Sequence, residues 1–241
     1  KVAVSFKDSA KYFREEKVEV TGNMIREEIC QPSEALPKKA QGPLNVLVLG
    51  GSQGAHSINI AMLEALESLA PKRENIHITH QTGESDYEIV KREYEASGFS
   101  YDVRPFIDDM AEQYRKASLV ICRAGATTLA EVTACGKVSV LIPYPHAAHN
   151  HQEKNARVLN SANAGELVLD KELSGPRIAQ SIIRAIEEPE RLEEMEKNSY
   201  QLGNRDATEK VRRICMSLLE DANRKSGQTG KKQGNHVLSC F

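Results

Sequence analysis

The stretch GGSQGA, Gly50–Ala55, puts glycines and a serine between the apolar run NVLVL and the amphipathic HSINIAMLEALESLA. Glycine lets the backbone approach a ligand closely, and the N–H groups that open a helix together carry roughly half a positive charge. A phosphate suits that place. A tight strand-to-helix turn uses the same residue types, so this loop alone leaves both readings open. The spacing is not G-x-G-x-x-G, and the following strand ends in THQTG with no acid to hold a ribose. A nicotinamide dehydrogenase is therefore disfavoured.

Three other loops carry candidate chemistry. CRAGATTLAE, 122–131, repeats the strand, glycine, helix pattern. Thr128 and Glu131 have the spacing of a capping box, so Glu131 either closes its own helix or offers its carboxylate to a ribose diol. In RPFIDDMAEQY, Asp109 and Glu112 share that spacing and read as structural acids, while Phe106 and Ile107 are placed to border a flat base. PYPHAAHNHQEKNA, 143–156, holds His146, His149 and His151. No Cys or Asp pattern frames these histidines, so no metal is expected. The polar side chains of this loop suit a sugar's hydroxyls, and Gln152 and Asn155 share a helix face.

These loops need a frame that brings them together. Strand candidates are 45–49, 76–81, 101–106, 119–123, 138–143 and 166–170, mostly continuous apolar runs as in a parallel sheet covered on both faces. Between them lie helices. Ile58, Met62, Ala65, Leu66 and Leu69 make one stripe, and a helix from Asp206 opens on an Asp206–Glu209 capping box with Val211, Ile214, Cys215, Leu218 and Leu219 on one face. The fold class is α/β, a Rossmann-like doubly wound parallel sheet. Ligands of such sheets bind beyond the carboxyl ends of the strands, where all four loops fall.

The chain has 241 residues, 40% hydrophobic and 27% charged, enough for one or two domains with a core. A net charge of −2 and 5% aromatic content, with no tryptophan, argue against a nucleic-acid partner. The five cysteines are scattered and form no CxxC pair, which fits reduced thiols. No apolar run approaches the roughly 20 residues that span a bilayer. The expected domains are 1–30, the remnant of another domain whose body precedes Lys1; a linker, 31–43, with three prolines; the ligand-binding domain, 44–221; and a basic, disordered tail, 222–241.

Taken together, VTGNMIR, LGGSQGA, FIDDMAEQYRKASLVICRAGATTLAE and NHQEKNA resemble the undecaprenyldiphospho-muramoylpentapeptide N-acetylglucosaminyltransferases of bacterial peptidoglycan synthesis, the MurG family. The likeness runs from about residue 1 to 220. It implies the C-terminal half of a two-domain GT-B glycosyltransferase, peripheral at the cytoplasmic face of the cell membrane. The implied donor is UDP-N-acetylglucosamine (UDP-GlcNAc), the acceptor a lipid-linked muramoyl-pentapeptide, and the reaction inverts the anomeric centre with no cofactor. By motif, Arg26 and Ser52 would contact the donor near its diphosphate, and Ile107 would read uracil through its backbone. Ala126, Thr127, Thr128, Leu129, Ala130 and Glu131 would wrap the phosphates and ribose, and Gln152 would hold the sugar. The catalytic base, the acceptor site and the membrane-contacting patch belong to the family's N-terminal domain and are not found in these motifs. Two alternatives stay open: a non-catalytic UDP-sugar-binding subunit of a split transferase, and a UDP-sugar 2-epimerase.

Overall fold

The computed structural model describes residues 1–5, 7–30, 42–51 and 53–232. The chain divides into two compact units, Lys1–Met24 with Asp206–Phe241, and Ile25–Arg205. In the first, β1 (Val2–Val4) pairs in parallel with β2 (Val18–Val20), Val2 opposite Val18. The amides of Thr21 and Gly22 then both donate to the Val4 carbonyl.

The larger unit holds α1 (Glu27–Cys30), β3 (Leu44–Leu49), α2 (His56–Leu69), β4 (Ile76–Gln81), α3 (Tyr87–Ser97), β5 (Ser100–Arg104) and α4 (Met110–Lys116). It continues through β6 (Leu119–Cys122), α5 (Ala126–Ala134), β7 (Val138–Leu141), α6 (His151–Ser161), β8 (Gly165–Leu167), α7 (Gly175–Glu187) and α8 (Pro189–Leu202). Its six strands lie in the order β5-β4-β3-β6-β7-β8, every pair parallel. The chain thus winds outward from β3 to one edge, returns to β6, and winds outward to the other. This is the doubly wound arrangement, and its order reverses between β3 and β6. Helices cover both faces, so β6 and β7 are buried along their whole length, which is why β6 reads as an unbroken apolar run and β7 departs from one only at Ser139.

Each expected strand is present, with ends set by local chemistry. The run expected over 101–106 stops at Arg104, because Pro105 lacks the N–H a ladder needs. The run expected over 138–143 stops at Leu141, two residues before Pro143. The α2 stripe is buried as expected, with Ile58, Met62 and Leu69 fully enclosed. Helix α1 packs against α4 and α5, and Ile29 is buried, so Ile25–Cys30 group with the larger unit, whereas the sequence put its boundary at 30. Of the expected linker, 31–41 lie outside the described residues.

Helix α9 (Ala207–Lys232) belongs to the first unit and carries residues 222–232, which the sequence placed in a disordered tail. Continuing a formed helix adds one hydrogen bond for each residue fixed, whereas composition weighs each residue alone. Residues 233–241 lie outside the described residues. The two acids at the start of α9 pair forward along the helix, Asp206 with Lys210 at 2.9 Å and Glu209 with Arg212 at 2.7 Å.

The α2 stripe also buries a polar side chain that periodicity does not flag. Asn59 is fully enclosed, donates to the Thr82 carbonyl (2.9 Å) and to the Asp86 carboxylate (2.7 Å), and accepts from His80 Nε2 (3.0 Å). His80 Nδ1 in turn lies 3.2 Å from the Tyr94 hydroxyl, so the imidazole fits as the neutral Nε2–H tautomer. Burial is the main cause that holds its pKa down to about 3, against a smaller opposing pull from Asp86. The unfolded chain takes up a proton on His80 near pH 6.5 and the folded chain does not, so acid favours unfolding. Stability should therefore fall by up to about 1.4 kcal/mol per pH unit from this group alone as pH drops below about 6. Urea titrations of wild type and His80→Gln should show the shallower pH slope in the variant. Equal slopes would remove His80 as the cause.

Candidate functional site

All six strands end on one rim, and Leu49 pairs with Cys122, so the loops after β3 and β6 leave that rim side by side. In the first loop, a Cβ on Gly54 would lie 2.2 Å from the Thr82 carbonyl oxygen, and its φ of +78° suits glycine. That position serves the turn. Gly51 differs: it also has positive φ, +83°, yet nothing lies within 4 Å of where its Cβ would be. The loop therefore has both a packed side and an open one. Ser52 lies outside the described residues. Helix α2 follows with Ala55 at its N-cap and α5 with Gly125 at its N-cap, and among the described residues no side chain caps either. The N-terminal end of each helix carries a partial positive charge.

The α5 cap bears on the capping half of the question left open at Glu131. The helix starts at Ala126, so Thr128 sits inside its first turn and Glu131 in its second, and the expected capping box does not form. The Glu131 carboxylate instead accepts from the Tyr114 hydroxyl at 3.1 Å and lies 3.9 Å from Arg26. Its side chain is only 13% exposed, and burial raises its pKa against the opposing effects of Tyr114 and Arg26. Arg26 is half exposed, which leaves its guanidinium open toward solvent. Of the run beside it, Leu129 is buried in the core and offers only backbone, while Ala126, Thr127, Thr128 and Ala130 lie partly or fully exposed.

Gln81, at the end of β4, links two loops. Its Nε2 donates to the Gly51 carbonyl at 2.9 Å, and its Oε1 accepts from the Ile107 amide at 2.9 Å. The Ile107 side chain is buried, and its N–H is engaged by Gln81. Phe106 beside it is 51% exposed. The nearby acids hold structure: Asp109 accepts from Arg104 and Gln113, both at 2.7 Å, and Glu112 pairs with Arg115 and Lys116. The 143–152 loop turns through left-handed residues His149 and Asn150. His151 Nδ1 is engaged by the Ala148 carbonyl at 2.8 Å, and among the described residues no cluster of three or more His, Cys, Asp or Glu is arranged to hold a metal ion. Gln152 Oε1 accepts from the Tyr144 amide at 3.0 Å, and Asn155 donates to the Ala124 carbonyl at 3.3 Å.

The fold thus gathers Arg26, Ile107, Ala126–Glu131 and Gln152 onto loops and helix starts of one rim within the larger unit. Sequence reasoning missed Gln81 and Arg123. In the sequence Gln81 marks only the absence of an acid after the second strand. Arg123 falls at the end of the strand candidate 119–123, where a charge closing an apolar run is a signal for a rim position.

Residues 45–211 match the model of the glycosyltransferase family 28 C-terminal domain. The chain is 47% identical over 214 residues to the UDP-N-acetylglucosamine–N-acetylmuramyl-(pentapeptide) pyrophosphoryl-undecaprenol N-acetylglucosamine transferase of Geotalea daltonii, covering 88% of this chain and 58% of that protein. With the Thermodesulfovibrio yellowstonii transferase of the same name it shares 48% over 222 residues, 90% of this chain and 61% of that one. The crystal structure of Acinetobacter baumannii MurG superposes with a TM-score of 0.67 at 32% identity, over 74% of this chain and 51% of that one. A UDP-GlcNAc 2-epimerase from Neisseria meningitidis reaches a TM-score of 0.52 at 14% identity, over 74% and 45%, a likeness of fold alone.

Gln at 131 still accepts from Tyr114 but is a weaker acceptor for a diol. Glu131→Gln should keep the thermal midpoint and weaken UDP binding about tenfold, read by calorimetry. Because burial raises the carboxyl's pKa, wild-type affinity should begin to fall on acidification before an exposed glutamate would titrate. Unchanged affinity in the variant would remove Glu131 from the ligand.

Proposed function

We propose a function from the premise that the chain belongs to glycosyltransferase family 28, whose C-terminal domain matches residues 45–211. The chain spans about 58% of the length of the Geotalea relative, so the activity of a whole protein is inferred here for a part. The reading is a UDP-GlcNAc-binding, donor half of an inverting transferase that moves N-acetylglucosamine to a lipid-linked muramoyl-pentapeptide. The observation that carries it is the pair of uncapped helix starts at adjacent registers, with Arg26 and Glu131 beside the second.

In this reading the diphosphate lies against the amides that open α2 and α5, with Arg26 and Ser52 adding donors. Ile107 meets uracil through its carbonyl, Glu131 accepts from the ribose, Ala126–Ala130 wrap the phosphates, and Gln152 donates to the sugar. An acceptor hydroxyl attacks the anomeric carbon as the UDP oxygen leaves with the bonding pair. Charge grows on the diphosphate in that transition state, where preorganised N–H groups and a guanidinium stabilise it. The base that takes the hydroxyl proton, and the acceptor and membrane surfaces, are assigned to the relatives' length that this chain does not span. Among the described residues no helix is long and apolar enough to cross a membrane, which is compatible with peripheral attachment at the cytoplasmic face.

Calorimetry with UDP and UDP-GlcNAc, followed by a transfer assay with lipid acceptor, tests the reading. The chain should bind both nucleotides and transfer nothing alone. Absence of UDP binding, or robust transfer by this chain, would overturn it. Arg26→Ala should weaken UDP about tenfold and uridine by less, because the diphosphate meets the guanidinium directly and the ribose only through Glu131.

A further inference from the structure

We propose that Arg123 is a positioning residue for the sugar end of the donor site, acting through the loop that begins at Pro143; the proposal rests on the donor-binding reading above. Arg123 stands one residue past β6, with its side chain only 15% exposed. Its Nη1 donates to the Asp170 carboxylate at 2.7 Å and to the carbonyls of Ile142 (3.3 Å) and Pro143 (3.2 Å). Its Nη2 donates to Ser57 Oγ at 2.8 Å, and that hydroxyl donates on to Asp170 at 3.3 Å. The guanidinium also sits over the Tyr144 ring, 5.6 Å from its centroid.

The direction of support follows from what is rigid. Ser57 lies in the first turn of the 14-residue helix α2, and Asp170 opens a short 3-10 turn beyond β8. Both are fixed by regular structure. The segment on the other side of the guanidinium is irregular and turns through the left-handed His149 and Asn150. Arg123 therefore ties a loop to the frame at its first residues, Pro143 and Tyr144.

Tyr144 passes that order to the ligand side. Its amide donates to Gln152 Oε1, which occupies the acceptor end of that side chain and leaves the Nε2 donors for a ligand. An amide with neither end engaged presents donor or acceptor alike. One pinned at Oε1 selects acceptor atoms, such as a hydroxyl oxygen or an acetamido carbonyl. Only the planar, multi-donor guanidinium meets a carboxylate, a hydroxyl and two carbonyls at once, and a lysine ammonium in its place cannot. Arg123 itself is spent on protein partners, so its effect falls on the sugar and not on the nucleoside diphosphate.

The test compares UDP with UDP-GlcNAc by calorimetry, wild type first. Arg123→Lys keeps a positive charge against Asp170 and should weaken UDP-GlcNAc about tenfold while UDP stays within about twofold. Gln152→Ala should show the same selectivity, and the double variant should be no weaker than Gln152→Ala, since both changes act through one contact. Ser57→Ala removes a single side-chain anchor, keeps the backbone amide at the start of α2, and should give the same pattern at smaller size. Wild-type UDP-GlcNAc affinity in Arg123→Lys and Ser57→Ala, equal weakening of UDP and UDP-GlcNAc, or additive effects in the double variant would overturn the proposal. A wild-type chain that binds neither nucleotide fails one step earlier, at the donor-binding reading itself, and overturns both.

Discussion

The hydrogen-bond register between β3 and β6 places Leu49 opposite Cys122 in two strands that run the same way. Everything proposed for the rim depends on it. Parallel strands deliver their carboxyl ends to one edge, and the reversal of winding between these two opens a crevice there, with a helix start on each side. The two positive helix ends repel each other, and among the described residues neither has a side-chain cap. Acidic groups offset part of that cost: Asp86 pairs with His56 and Asn59 in the first turn of α2, and Glu131 sits in the second turn of α5. A bound diphosphate would complete the compensation.

The loops around this crevice hold their shape through single polar side chains that each bridge two segments. Gln81 joins Gly51 to Ile107, Gln152 holds Tyr144, Asn155 holds Ala124, and Arg123 gathers the ends of β6 and β7 with α2. Loops of this kind bury little apolar surface, so satisfied polar groups supply their order. Losing one bridge leaves backbone groups unpaired, which costs more than the bond itself contributed. The same logic runs deeper in Asn59 and His80, which secure the Thr82 carbonyl against which Gly54 packs.

The fold is shared at 14% identity with a 2-epimerase and at 32% with a MurG transferase. Architecture of this kind hosts several chemistries, so the donor assignment rests on the residues lining the rim and not on the sheet. The part of the relatives' length outside this chain is where the proposal puts the acceptor chemistry.

The six strands of the larger unit, the α2 stripe and the four rim loops were legible in the amino-acid order, because burial on both faces writes continuous apolar runs and turns need glycine at set places. Motif resemblance pointed to Arg26, Ile107, Gln152 and Glu131 as well. What spacing left undecided at Glu131 was whether it caps a helix. Gly125 settled that by starting α5 two residues before Thr128, a matter of backbone geometry that a residue pattern does not encode. The extension of α9 past residue 221, the use of Ile107's amide by Gln81, and the reach of Arg123 to Ser57 and Asp170 were likewise fixed by tertiary structure. Periodicity reports which face of an element avoids water. Which distant polar groups meet is decided by strand order and register, and those emerge only when the sheet is assembled.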